Sequence, residues 1–497
     1  MDIKSFSPGI LTQPDFGAAI YSLRVPSGRD VRLSLIYSVL VFILSGGIYM
    51  ARAYIPFAIQ GWVVFILGTT LAFSSSWFYR WNPLYLLITG LLAIPPLYSG
   101  ALVLLEVNGG IFCAFGQAFH TSAVASKVML LTVIAISVSS IGWGLAMFKQ
   151  PLPRSLRAIP FFDYKFAGYA VVALFSGLQT SILYGDFIWN VSYYSAPGTP
   201  FLGIQIFPTL AVIGVLGMFA MLVYENRGSR YHYLIFLAIT VYVLMFCMFF
   251  RGGRLEVVAA FIGAYFLWLD AHKRKPPIVR IFISGFIIFI LLQMWGVFRM
   301  VLANPKYSFI NGVKVSTTII LKDVVPAYKK QYPPNRYPMT TIGDIVATFY
   351  MTVGLVDEEK LPLLYGKSYF EYIPRTLPKF LYPERPHDLA WIFLSVGEKS
   401  GGGLYSLSEA YMNFGFAGCV AIPLLFSFLI ARTMLVCIAH GSFQGIFLYV
   451  FVLSFMLRGV WYGYFALYKS IIAWFFVEVM LAAPLFIWRM CGRKTSL

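Results

Sequence analysis

The sequence predicts an all-α integral membrane protein with about twelve transmembrane helices and one large polar loop carrying short amphipathic helices. Three observations predict it. Hydrophobic residues make up 59% of the chain and charged residues 12%, with a mean hydropathy of +0.76, so lipid rather than water is the main solvent. Apolar runs recur at the length of about 20 residues that a hydrocarbon core of about 30 Å demands. Basic residues gather in alternate short connections, which fixes an orientation.

Residues 1–32 hold Pro8, Pro14, Pro26, Arg24, Arg29 and Arg32 without the positive-then-apolar order of a signal peptide. They are expected to form a short cytoplasmic tail, and the first span is expected to stay in the mature protein. Apolar runs at 33–50, 56–79, 83–105, 128–148, 167–187, 203–223, 233–250, 255–270 and 279–298 then place about nine helices in residues 33–299. The connections carrying Lys149, Arg154, Arg157 and Lys165, then Arg227 and Arg230, then Lys273, Arg274 and Lys275 fall on one side, with Arg489, Arg493 and Lys494 after the last span. Both termini are therefore expected in the cytoplasm.

Residues 300–411 become one outer loop, too long for a passive connector. In it, TTIGDIVATFYMTVGL (340–355) reads as an amphipathic or interfacial helix, and YIPRTLPKFLYPERP (372–386) as extended, turn-rich chain. The expectation is a folded cap resting on the membrane. Runs at 412–431, 441–457 and 470–488 place the last spans in residues 412–488, followed by a cytoplasmic tail, 489–497.

Several function classes are excluded. Cys113, Cys247, Cys419, Cys437 and Cys491 are scattered, without the spacing of a disulfide framework or zinc site. The net charge of +18 divides between two membrane faces and does not indicate nucleic acid. Ionisable residues in the spans are nearly confined to Glu478, Asp186 and Glu256, too few for a coupled transporter, and no repeat divides the chain into symmetric halves. Tyr365-Gly366-Lys367-Ser368 lacks the first glycine of a phosphate-binding P-loop.

The sharpest local signal is Arg251-Gly252-Gly253-Arg254, two guanidiniums in a four-residue outer connection. The following helix begins beside them, so its unpaired amides and positive dipole end add to their field, while Gly252 and Gly253 let the backbone approach an anion. Arg299 and Arg458 end two other spans at the same depth. Together the four suit bidentate recognition of a phosphate or pyrophosphate; singly each also reads as an interfacial anchor. At the water boundary they are expected to be replaceable without loss of insertion.

Glu409, just before the chain re-enters the membrane, is a candidate general base, or else a solvated or helix-capping carboxylate. His387 and Asp388 are further base candidates, His387 also reading as a surface residue. Arg375, Lys379 and Arg385 add positive charge to the loop, and Tyr365, Tyr369, Trp391 and Tyr405 offer glycan-facing aromatics. No paired carboxylates mark a metal site in the outer loops, and no cofactor is expected.

Four stretches in this order, MFFRGGRLEVVAAF, VFRM, YGKSYFEYIPRTLPKFLYPERP with SLSEAYMNFGFAG, and LRGVWYGY, resemble the Wzy family of O-antigen and enterobacterial common antigen polymerases. They span roughly residues 240–470; the first 200 residues match only as hydrophobic spans. The resemblance implies a GT-C-like architecture in the bacterial inner membrane. It implies transfer of a growing glycan from undecaprenyl pyrophosphate to the non-reducing end of a new lipid-linked repeat unit at the periplasmic face, beside a Wzz-type chain-length regulator. No glycine falls eleven residues after Arg251, Arg254 or Arg385, so roles tied to that family spacing do not carry over. An O-antigen ligase is the enzymatic alternative, but His387 lies about 25 residues before the next span, far for that family's loop histidine. A lipid-linked oligosaccharide flippase is the alternative from another class; it should have short outer loops and basic residues inside the spans, the reverse of this sequence.

Overall fold

The computed structural model of the chain describes residues 26–105, 119, 121–148, 161–183, 206–225, 228–248, 254–271, 311, 314, 341–371, 391–398, 404–440 and 442–492. Among these the regular structure is helical, with no strand. In chain order the helices are α1 (Gly28–Met50), α2 (Phe57–Phe78), α3 (Pro83–Leu104), α4 (Ser122–Met147), α5 (Phe162–Leu183), α6 (Phe207–Glu225) and α7 (Arg230–Thr240), which continues as a π-helix, Val241–Met248. Then come α8 (Arg254–Ala271), α9 (Thr341–Asp357), the short α10 (Lys367–Glu371) and α11 (Trp391–Ser395), α12 (Ser406–Phe414), α13 (Phe416–His440), α14 (Phe443–Trp461) and α15 (Tyr464–Gly492).

Nine of the described helices are long and apolar enough to cross a membrane. α5 and α8 occupy the places of the expected fifth and eighth spans but are not among the nine; the apolar stretch of α8 is only Leu255–Leu269. The expected span 279–298 lies outside the described residues. Local sequence sets several starts. Ser27 and Asp30 form a capping box on α1, Asn82 accepts from Leu84 N and Tyr85 N ahead of Pro83, and Ser442 caps α14.

α4 is the hub, packed against α1, α2, α3, α9 and α13. Small residues let the backbones close in: a Cβ on Gly142 would lie 2.3 Å from the Leu424 carbonyl oxygen of α13, so only glycine fits that crossing. Hydroxyls tie the hub laterally. Ser38 Oγ donates to Ser140 Oγ (2.7 Å), and Tyr79 OH donates to the Ser140 carbonyl (2.9 Å). Such interhelical bonds contribute about 0.6 kcal/mol each in a bilayer. A second group, α5, α6, the π-helix, α8 and α15, joins this one largely through α14.

Ion pairs and one histidine–carboxylate contact identify which helix ends share a level. Arg80 meets Asp30 (3.8 Å) and His232 meets Asp163 (3.3 Å) at one end. Lys127 at the start of α4 meets Asp357 at the end of α9 (2.6 Å), and Arg458 near the end of α14 meets Glu256 at the start of α8 (3.2 Å), at the other, here called the site end.

Two expectations change. The helix read as amphipathic or interfacial, 340–355, is buried on every side over residues 346–355 among α3, α4 and α12; of its polar positions there, Thr348 meets Ser408 of α12 and Thr352 donates back to the Thr348 carbonyl of its own helix. The expected span from 412 is instead two helices: Gly415, with φ of +57°, ends α12, and α13 starts afresh at Phe416.

Candidate functional site

The site is built on α12, and a proline pair explains where α12 sits. Pro95 and Pro96 lie inside α3 and have no N–H, so the carbonyls four residues back, Leu91 and Leu92, lose their helical donors. Tyr405, the residue before α12, fills the gap: its hydroxyl lies 2.9 Å from both oxygens. Its backbone N–H donates to Thr348 Oγ1 of α9 (3.1 Å), and Ser408 and Thr348 hydroxyls are 3.2 Å apart. Tyr405 is thus fully buried, and the expectation that it faces a glycan gives way to a role as anchor. Replacing it with phenylalanine strands buried carbonyls, so Tyr405→Phe is expected to cost about 1–3 kcal/mol and lower the melting temperature in detergent.

Four residues after Tyr405, Glu409 is 1% exposed, neither solvated nor on the surface. Ser368 Oγ, from α10, donates to its Oε1 (3.0 Å). Asn413 Nδ2 donates in turn to Ser368 Oγ (2.7 Å) and to the Glu409 carbonyl one turn back (2.8 Å). The direction of this chain is set: the amide gives to the hydroxyl, and the hydroxyl gives to the carboxylate. α10 is held in place by Leu364 N and Tyr365 N, which donate to the Met412 and Asn413 carbonyls (3.0 and 2.9 Å). Burial pushes the Tyr369 hydroxyl well above its ordinary pKa, and the neighbouring Glu409 adds to this, so Tyr369 stays neutral.

Glu409 opens onto a groove of about 640 Å³ running down between α13 and α15. Ile422, Leu425 and Leu429 form one wall, Tyr468, Ile471 and Ile472 the other, and Ser368, Tyr369 and Phe370 the lid. Leu425, Leu429 and Ile472 are also exposed on the helix surfaces that a bilayer would cover. Between α14 and α15 the chain turns at Gly463, with φ of +85°, and a Cβ there would lie 2.7 Å from Glu409 Oε2. Gly463→Ala therefore meets both backbone strain and the carboxylate. Any transfer activity is expected to fall much further in Gly463→Ala than in Gly397→Ala, a positive-φ glycine with open space around it.

At the same end, Arg458 Nη1 contacts Glu256 Oε1 (3.2 Å) and donates to Thr209 Oγ1 (3.1 Å). Glu256 is 7% exposed. Both contacts use one nitrogen of the guanidinium, which presents five N–H donors in a planar fork.

Of the sequence-predicted residues, Glu409, Arg458, Tyr365, Tyr369 and Tyr405 are described, Tyr369 lining the groove beside Glu409, and Trp391 is placed as the first residue of α11. Tyr365 is exposed, with φ of +48°, at the turn into α10. Arg254 is placed as the first residue of α8, two positions before Glu256. Arg251, Gly252, Gly253, Arg299, Arg375, Arg385, His387 and Asp388, and the side chain of Arg254, lie outside the described residues. Sequence reasoning missed Ser368, Asn413, Gly463 and the pairing of Glu256 with Arg458; Ser368 stands 41 positions from Glu409, and no local signal joins the two. Among the described residues no three His, Cys, Asp or Glu side chains converge. Comparison of the chain with models of protein families, with curated proteins and with solved structures returns no match.

Proposed function

We propose that this membrane protein is a glycosyltransferase of the O-antigen polymerase type, moving a growing glycan from undecaprenyl pyrophosphate onto a new lipid-linked repeat unit. The observation that carries the reading is Glu409, a buried carboxylate fixed by Ser368 at the head of an apolar groove between two membrane-length helices. A groove of that size and lining suits a lipid tail.

In the proposed reaction a hydroxyl of the acceptor sugar attacks the donor's anomeric carbon. The bond from that carbon to the phosphate oxygen breaks, the hydroxyl proton passes to Glu409, and undecaprenyl pyrophosphate leaves. Arg251, Arg254, Arg299 and Arg458 stabilise the charge that develops on the leaving group, with amides after Gly253 adding to them. The donor's anomeric carbon is bonded to its diphosphate, and the diphosphate to its lipid, so a base at the reaction centre stands at the head of the donor's own tail. The groove is therefore the donor's. Tyr365 on the exposed rim, with Arg375, Arg385, His387 and Asp388 in the same loop, contacts the glycan. The protein works in the bacterial inner membrane, facing the periplasm, with a Wzz-type regulator as partner.

The test is surface polysaccharide from a deletion strain. One repeat unit on lipid A-core is expected, with long chains restored by the wild-type gene. Core with no repeat units would assign the protein to ligation or flipping. Because guanidiniums take the place of a cation's charge, chain extension by the purified protein is expected to survive EDTA. Loss with EDTA and recovery with magnesium or manganese would overturn the arginine mechanism.

A further inference from the structure

Polymerisation needs two lipid diphosphates at once, and the donor groove accounts for one. We propose that a second cavity at the site end, on the opposite flank of α12, binds the diphosphate headgroup of the acceptor lipid. The inference rests on the polymerase reading. The cavity, about 810 Å³, lies between the α1–α2 turn, the start of α4 and the end of α9, and Arg52, Gln60, Lys127 and Asp357 line it.

Its polar groups are built in. Gln60 is 2% exposed; its Nε2 donates to the carbonyls of Arg52 (2.7 Å) and Ile55 (2.5 Å), and Ser126 Oγ donates to its Oε1 (3.2 Å). That pins the turn that presents Arg52. Arg52 Nη1 donates to the Tyr49 carbonyl (2.8 Å), and the guanidinium lies 4.3 Å from the centroid of the Tyr49 ring, which aims the side chain while using one of its five donors. Lys127 Nζ is 2.6 Å from both Asp357 oxygens, and Tyr411 OH donates to Asp357 Oδ1 (3.0 Å). Two cations against one carboxylate leave the cavity net positive. Tyr54 (90% exposed) and Phe57 stand at its lip, the amphipathic and apolar groups expected at the membrane boundary.

Position selects the acceptor. Glu409 and Tyr411 are two residues apart on α12 and so about 200° apart around it, which puts the groove and this cavity on opposite flanks, on the order of 10 Å or more from each other. The donor's diphosphate must adjoin the reacting carbon. The acceptor reacts at its far, non-reducing end, so its diphosphate must lie a repeat unit away.

The experiment is native mass spectrometry of the full-length protein with undecaprenyl diphosphate, beside chain-extension assays. Wild type is expected to bind two molecules. Arg52→Gln, at an exposed side chain, and Lys127→Gln are each expected to weaken one site about 10-fold or more and to raise the acceptor concentration needed for half-maximal extension, leaving maximal turnover close to wild type. Leu429→Trp, in the groove, should remove the other site. Two unaltered sites in both Arg52→Gln and Lys127→Gln would overturn the proposal while leaving the polymerase reading in place. So would equal occupancy of the second site by phosphatidylglycerol, which would make it a phospholipid headgroup site. Two sites lost one at a time in a protein that never extends glycan would instead sink the polymerase reading.

Discussion

Glu409→Gln is expected to reduce chain extension by about 10²-fold or more, the range for removing a general base, with the protein still present in the membrane at normal level. Glutamine keeps the shape of the side chain and still accepts from Ser368 through its carbonyl oxygen, but it cannot take up the acceptor's proton. Ser368→Ala separates positioning from chemistry. It leaves the carboxylate in place and removes the donor that orients it, so a smaller loss, about 10-fold and confined to turnover, is expected. Polymer length on lipopolysaccharide gels, read beside immunoblots of membranes, measures both. Long polymer from Glu409→Gln at normal protein level would move the base elsewhere, to His387 or Asp388.

Arg458→Ala is expected to do two kinds of damage, and the structure supplies the reason. At the leaving group, loss of one electrostatic donor costs on the order of 10²-fold in rate. In the fold, it leaves the Glu256 carboxylate buried without the guanidinium that meets it, which costs about 3–5 kcal/mol. The expectation that arginines at the water boundary are replaceable without loss of insertion therefore does not extend to Arg458: membrane level should fall with activity. Arg458→Ala combined with Glu256→Gln removes both charges and is expected to restore protein level but not turnover. If the double variant also restores long polymer, Arg458 serves only as the partner of Glu256. Arg458→Lys keeps the charge but loses the planar fork, so it should preserve level better than rate.

The membrane class and most of the helices follow from the sequence alone, because length, apolar content and the placement of basic residues are properties of short segments. A bilayer reads them one helix at a time. Glu409 and Arg458 were legible on the same ground, as charged residues close to the ends of apolar runs. What each touches was not. Ser368 reaches Glu409 across 41 positions, Lys127 reaches Asp357 across 230, and Arg458 reaches Thr209 across 249. No periodicity encodes such pairings; they exist only once α4 and α14 have gathered the other helices and set their ends at one level. Tyr405 shows the difference most plainly. Its aromatic character suggested a sugar-facing residue, while its place was decided by two prolines more than 300 residues away, whose missing N–H groups left carbonyls in the interior that a buried hydroxyl had to meet.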